Sequence, residues 1–320
     1  MNLGLPFEDA LIDLRITGYQ LLNETYASPW AIDIPGEAEL RTLMKLDNGV
    51  RVVPFHLVRQ GWFELLPDGQ ESFHVQTHDV AICPGGGKHR MQQGAANEVV
   101  PLSRILGGEK PLSHNAESTE STELICGVFL LRAAPLNPLL AALPSVIKVA
   151  TADAAANPML GRVAEMLALE IHRSGTMTGG FTAARLLEIF CAEILRALPG
   201  EVNAPETGWL RGLADAKIAK ALSLIHAQPE APWSVDLLAD AVALSPSRFA
   251  ARFRDTIGET AMAYVTRWRM VRACRLLENP NETIDRVATQ VGYSAASSFS
   301  RAFKASVGVN PMEWRMGVSK

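Results

Sequence analysis

The side chains best suited to chemistry fall into two sets. In the first part of the chain His56 and His89 occur near Arg59, Glu64 and Arg90, and Pro84-Gly-Gly-Gly-Lys-His89 sets an imidazole at the end of a glycine turn. Imidazoles ligate metals or change charge near neutral pH, and the arginines and the carboxylate can hold a small polar molecule. In the last hundred residues the groups are of another kind. Ser247, Arg248 and Arg254 in one stretch, and Ser297, Ser300, Arg301 and Lys304 in another, are donors of the type that bind phosphates and base edges. Four cysteines, Cys83, Cys126, Cys191 and Cys274, are scattered without a CxxC pair. That spacing argues against a structural zinc site and against a disulfide framework, and reduced thiols are expected.

The basic groups need elements to present them, and a repeat supplies these. Phe249-Ala-Ala-Arg-Phe253-Arg-Asp-Thr-Ile-Gly258 returns as Phe299-Ser-Arg-Ala-Phe303-Lys-Ala-Ser-Val-Gly308, at a constant offset of 50 residues. Before each copy the pattern predicts a short helix and a tight turn: 235–242 with Ala243-Leu244-Ser245, and 284–290 with Val291-Gly292-Tyr293-Ser294. Helix, turn, helix is an arrangement that reads DNA. Ser245 is the expected N-cap of the second helix, with Pro246 at its first position. Phe249 and Phe253, one turn apart, then face the core, so Ser247, Ala250, Ala251 and Arg254 face outward beside Arg248. In the second copy Ala296, Ser297, Ser300, Arg301 and Lys304 face outward. Arg301 is the expected base reader because its guanidinium can bond a guanine edge in two places. Ser297, Ser300 and Lys304 are expected to contact phosphate or position the helix, whereas Ala250 and Ala251 can only touch a thymine methyl. A Phe pair on one helix face is usually plain core. Two copies in register, with a basic bias, favour DNA.

Net charge supports this division. The chain carries −4 in all, but residues 214–320 hold 14 basic and 10 acidic residues, a net +4, and residues 1–213 hold 16 and 24, a net −8. A basic part on an acidic protein points that part at a polyanion.

A length of 320 residues with 48% hydrophobic content predicts about two globular domains. No run reaches the roughly 18 to 20 apolar residues that span a bilayer, and the first residues lack a basic and apolar signal pattern. A cytoplasmic protein without membrane contact is expected. Extended runs at 41–46, 50–58, 61–66, 72–75, 80–83 and 124–131, separated by DNG, PDG and PGGG, predict a β-barrel or sandwich. Residues 105–123 are expected to be an exposed loop. Helical spacing begins at Pro138, with candidate helices near 139–143, 159–172 and 182–198, and residues 199–208 have the composition of a linker. The expected domains are thus a β-barrel over 1–135, a helical segment over 136–198, a linker over 199–213, and a double helix-turn-helix domain over 214–320. The fold class is multidomain α+β.

From about Ala216 to Met316 the chain resembles the AraC/XylS family of bacterial transcription regulators. The resemblance rests on both repeat units, and above all on Ala288, Gly292, Tyr293, Ser298, Phe299, Phe303, Gly308 and Pro311. It implies two recognition helices in successive major-groove segments, held apart by a connecting helix near 261–277. One departure is that Ala251 stands where the family often has a polar reader, which shifts hydrogen-bonded specificity to the second unit. Residues 10–200 resemble the cupin sensor domain of some of these regulators, with Pro84 to His89 as part of its second motif. That likeness implies a pocket for a small effector, with His56, Arg59, Glu64, His89 and Arg90 as candidate lining. Metal-binding cupins use two His, an acid and a further His. Here Pro54 replaces the first His, Gln60 stands near the acid, and two imidazoles with an amide make a poor site. His74 and His78 are alternative ligands that need not converge. Some relatives resemble sensors of reactive chlorine with a cysteine at the position of Cys126, which makes Cys126 a redox candidate set against its ordinary reading as a buried thiol. The function implied is an effector- or stress-responsive regulator, expected to be an activator, a homodimer and a partner of double-stranded DNA and RNA polymerase. No cofactor is expected. The alternative is a cupin-type metal-dependent enzyme with an accessory DNA-binding domain.

Overall fold

The structure is a computed structural model that describes residues 4–46, 50–96, 98–110, 120–132, 136–152, 157–174, 180–201 and 208–318. The DNG turn at 47–49, residues 111–119 of the polar loop and residues 202–207 of the linker lie outside the described residues.

The elements run in chain order as α1 (Gly4–Ile12), β1 (Arg15–Ala27), β2 (Trp30–Ile34), α2 (Glu37–Leu43), β3 (Arg51–Gln60), β4 (Trp62–Pro67), β5 (Phe73–Gln76), β6 (Asp79–Ile82), β7 (His89–Gln93) and β8 (Val100–Pro101). They continue as α3 (Leu102–Leu106), β9 (Ser121–Arg132), α4 (Pro138–Ala142), β10 (Ile147–Ala150), α5 (Pro158–Ser174), α6 (Phe181–Glu201) and α7 (Trp209–Ala214). The last seven are α8 (Ala216–Ala227), α9 (Val235–Ala241), α10 (Pro246–Ile257), α11 (Ala261–Leu276), α12 (Ile284–Gln290), α13 (Ala296–Val307) and α14 (Pro311–Val318).

The chain divides into two compact units. One comprises Arg15–Arg132 and Leu143–Val202; the other comprises Met1–Leu14, Ala133–Ala142 and Asn203–Lys320. The N-terminal helix and the segment around α4 therefore pack with the C-terminal helices, where the sequence had placed residues 1–135 together.

In the first unit two five-stranded sheets, β1-β9-β3-β6-β10 and β5-β4-β7-β2-β8, enclose one apolar core. Alternation sets the faces: along β7, His89, Met91 and Gln93 are buried and Arg90 and Gln92 between them are not. Strand β3 is buried on both faces because α6 covers the outer one. There Phe55 stacks on Phe129 with ring centroids 4.6 Å apart, and Phe190 of α6 meets both. Gly18 of β1 allows the helix that close, since a Cβ added there would fall 2.2 Å from Cβ of Leu187. The run at 41–46, expected to be extended, is instead the end of α2 and the turn after it. Its Glu, Ala and Leu favour helix, and Glu37 accepts from Arg41 one turn on, at 2.9 Å. Strand β10, inside the segment 136–198 expected to be helical, pairs with β6.

In the second unit the sequence repeat becomes a structural one. Ser234 and Thr283 cap α9 and α12 by accepting from the backbone N–H three residues on, at 3.2 Å in each case. Gly258 and Gly308 end α10 and α13 in the left-handed region, at φ 93° and 90°. Phe249 and Phe253 are fully buried with centroids 5.7 Å apart, and Phe299 and Phe303 repeat this at 5.6 Å. Both turns place one residue at positive φ, Ala243 at 52° and Gly292 at 80°. Ser245 occupies the N-cap position of α10, but its side chain makes no capping bond. Within this unit, helix α11 links the cores of the two helix-turn-helix repeats, with Tyr264 and Trp268 buried toward the first repeat and Met270, Ala273 and Cys274 packed in the second. In the same unit α1 brings Phe7 to stack on Trp209 at 6.2 Å, and the Asp13 carboxylate, just past α1, accepts from Arg275 in the last turn of α11 at 2.5 Å.

Candidate nucleic-acid interface and barrel interior

The faces of α10 and α13 opposite their phenylalanines carry the groups that can meet a polyanion. On α10, Ser247, Arg248, Ala250, Ala251 and Arg254 are all exposed. On α13, Ser297, Arg301 and Lys304 are exposed, Ser300 is half-buried, and Ala296 is half-buried against the second core. Among the described residues Arg248, Arg254, Arg301 and Lys304 have no hydrogen-bond or ion-pair partner. Other arginines of this unit are bound to the protein. Arg252 bonds Asp215, the N-cap of α8, at 2.8 Å; Arg267 bonds Glu259 at 2.5 Å; Arg269 donates to the carbonyls of Pro229 and Ala231; Arg315 donates to those of Leu277 and Glu282. The distinction is physical. A guanidinium already bonded to a carboxylate or carbonyl holds the fold, while one left in water at a helix surface can exchange that water for phosphate or a base edge. The sequence could not separate Arg252 from Arg254, because the partner Asp215 is 37 residues away.

The barrel interior brings together only part of the expected effector set. His56 and His89 are buried side by side, with their Nε2 atoms 2.8 Å apart and their Nδ1 atoms without hydrogen-bond partners. Cys83, just past β6, adds its sulfur 3.8 Å from Nε2 of His89. Burial holds His56 well below the ordinary imidazole range, and the neighbouring His89 adds to this; burial lowers His89 to about 4, against a smaller upward pull from the Gly87 carbonyl, which lies outside hydrogen-bonding geometry. Both rings are therefore neutral at pH 7 and share one proton along the contact, one donating and one accepting. Arg59 is exposed at the end of β3, Glu64 bonds the exposed His74 at 3.1 Å, and Arg90 pairs with Asp33 at 2.8 Å, so these three do not converge with the imidazoles. Gln60 is exposed and His78 sits in a turn at φ 68°. Cys126 pairs with His56 across β9 and β3 and is buried; burial pushes its thiol up, the opposite of what a sensing thiolate needs.

A cavity that the sequence does not signal lies beside β1. It has a volume of about 330 Å³ and is lined by β1, the end of α3 and the end of α5. Gln20 and Tyr26 are among its lining residues, and each keeps a buried side-chain oxygen without a hydrogen-bond partner; Glu24 and Lys110, an ion pair 2.9 Å long, also line it. A volume of this order fits a small molecule. Residue type does not signal such a site, since Gln20 is a polar residue on the buried face of β1.

Residues 6–199 match the cupin family and residues 238–317 match a helix-turn-helix domain family. An AraC-like transcription regulator of Streptomyces lividans is 28% identical over 311 residues, 97% of each chain. The HTH-type transcriptional regulator AlkR of Acinetobacter baylyi is 30% identical over 243 residues, 74% of this chain and 79% of the relative. The RCS-specific HTH-type transcriptional activator RclR of Escherichia coli is 25% identical over 265 residues, 82% of this chain and 84% of that one. Among the described residues no helix is long and apolar enough to cross a membrane.

Proposed function

Because this chain belongs to the AraC-type family of helix-turn-helix transcription regulators and carries a cupin domain, it is a DNA-binding regulator of transcription, and we propose that α10 and α13 are its two reading helices. The observation that carries this reading is the set of four unpartnered cations on the outer faces of two helices whose buried sides are nearly identical. Arg301 reads a base edge; Ser297, Ser300 and Lys304 hold phosphate, as do Ser247, Arg248 and Arg254 on α10. Ala250 and Ala251 contribute at most contact with thymine methyls.

The regulator responds to a small effector, and the cavity beside Gln20 and Tyr26 is the better-supported place for it than the set read from sequence. Two of its lining residues each keep a side-chain oxygen without a partner, so turning that oxygen toward a ligand breaks no existing hydrogen bond. Met159, Met166 and Leu169, exposed along α5, support homodimerisation through that helix. The protein acts in the cytoplasm, with RNA polymerase as its partner in activation. The enzyme alternative has no support from the relatives, which are transcription regulators.

A footprint on DNA upstream of the protein's own gene tests the two-helix reading. Protection should cover two major-groove segments on one face of the duplex, about one helical turn apart. Protection of a single segment, or none at any sequence, would contradict it.

A further inference from the structure

We propose that His56, Cys83 and His89 form a binding site for a single zinc-like transition-metal ion inside the barrel. One ring nitrogen of each imidazole and the sulfur all lie within 4.8 Å of one another and all three residues are buried. They converge from separate places in the chain: His56 lies on β3, Cys83 follows β6, and His89 opens β7. β3 and β6 belong to one sheet and β7 to the other, so a bound ion would tie the two sheets together.

The distances suit such an ion. Zinc at about 2.0–2.1 Å from nitrogen and about 2.3 Å from sulfur, in tetrahedral geometry, requires nitrogens roughly 3.3 Å apart and a sulfur roughly 3.6 Å from nitrogen. The sulfur is 3.8 Å from Nε2 of His89, close to that spacing, and the imidazoles, at 2.8 Å, need part by only about half an ångström. Two neutral imidazoles and a thiolate are a donor set for zinc or a similarly soft ion, and a poor one for magnesium or calcium. On binding, the Cys83 proton leaves to solvent and the thiolate forms a bond to the metal; no oxidation is involved. A cleft of about 70 Å³ reaches Cys83 and His89 between Asp68, Gln70, Lys88 and Ser145. It offers the ion an entry path and a water a place in the fourth coordination position. The ligand set differs from the His and acid arrangement of metal-binding cupins: Pro54 and Gln60 supply nothing, and the cysteine takes over. The site stands independently of the DNA-binding reading.

The test uses the full-length protein, reduced and stripped with chelator, titrated with Co(II) as a coloured substitute and then with Zn(II). One equivalent of Co(II) should bind with a sulfur-to-metal charge-transfer band, and Zn(II) should displace it. Cys83→Ala should abolish the band, and both Cys83→Ala and His89→Gln should weaken Zn(II) binding by more than the roughly 10–100-fold lost with an outer-shell partner. Cys126→Ala should leave stoichiometry and band unchanged. Circular dichroism of each metal-free variant checks folding, with Cys83→Ser as the near-isosteric replacement if Cys83→Ala does not fold. Absence of stoichiometric binding, or a band that survives the loss of Cys83, overturns the proposal and leaves the imidazoles as a structural hydrogen-bonded pair.

Discussion

Acid should loosen the helical unit through one histidine. His226 of α8 is buried, lies flat on Trp268 with ring centroids 3.6 Å apart, and bonds the Tyr264 hydroxyl through Nε2 at 2.7 Å. Its Nδ1 has no hydrogen-bond partner, and the nearest carboxylate, Asp9 of α1, stands 3.8 Å away. Burial, with Arg267 and Arg272 adding to it, lowers His226 to about 3 from an ordinary 6.5. The nearby Asp9 works against this shift, but at that distance and half-exposed it does not offset burial. A histidine whose folded value lies below its unfolded value contributes stability above pH 6.5 that is lost as the pH falls toward the folded value. Between pH 8 and pH 5 the loss depends almost wholly on the unfolded value. About one and a half pH units of proton uptake by the unfolded form amount to roughly 2 kcal/mol. Hydrogen exchange of amides in α8 and α11, corrected for intrinsic rates, isolates this unit from the barrel, whose buried His56 and His89 have an acid dependence of the same sign. Opening free energy in the wild type should fall by about that 2 kcal/mol over the range. In His226→Gln, which keeps an acceptor for Tyr264 and cannot charge, the dependence should largely vanish even if the variant is weaker at pH 7. Equal slopes in the two proteins would refute the argument.

Other substitutions follow from local geometry. Ala243→Gly should raise the stability of the helical unit by about 0.5–1 kcal/mol, since Ala243 adopts φ 52°, where a Cβ is strained; thermal unfolding measures this. Gly292→Ala, at the matching turn, should cost more than about 1 kcal/mol, because φ is 80° and the new Cβ would lie 2.7 Å from the Glu230 carbonyl oxygen. Tyr26→Phe should leave the barrel as stable or about 1 kcal/mol more stable in chemical denaturation, since it removes a buried hydroxyl without a partner; a clear loss would mean the hydroxyl is bonded in solution.

The helical half was largely legible in the sequence because its signals are local. The Phe pairs act within a turn or two of helix and their repeat marks both units, while the family resemblance supplied the bounds of α11 to within a residue. Ser245, the expected cap, makes no capping bond, and the caps that form, Ser234 and Thr283, were not read. Tertiary partners were not legible. Nothing in residues 4–12 says that Phe7 stacks on Trp209, some two hundred positions later, so α1 was assigned to the barrel. β1 was missed as a strand because its buried positions, Gly18, Gln20, Leu22 and Tyr26, alternate in the structure but include a glycine and a glutamine, so residue type does not display the alternation. The barrel site was half legible. His56 and His89 were singled out by residue type, while Cys83 was read as an inert thiol, because only the fold brings its sulfur to His89. Arg59, Glu64 and Arg90 were grouped with them by nearness in sequence, and strand alternation turns Arg90 away from its neighbour His89.

The most direct measurement of the central claim is fluorescence anisotropy of full-length wild type, Arg301→Ala and Arg252→Ala on a preferred site and on scrambled DNA, across a salt series. The account predicts that Arg301→Ala loses about 5- to 150-fold in affinity for the preferred site, the equivalent of about 1–3 kcal/mol, and changes little on scrambled DNA. Arg252, bonded to Asp215, should affect stability and leave the preference for the site unchanged. If Arg301→Ala kept the full preference, or if wild type bound both DNAs alike at every salt concentration, α13 would not be the helix that reads the sequence.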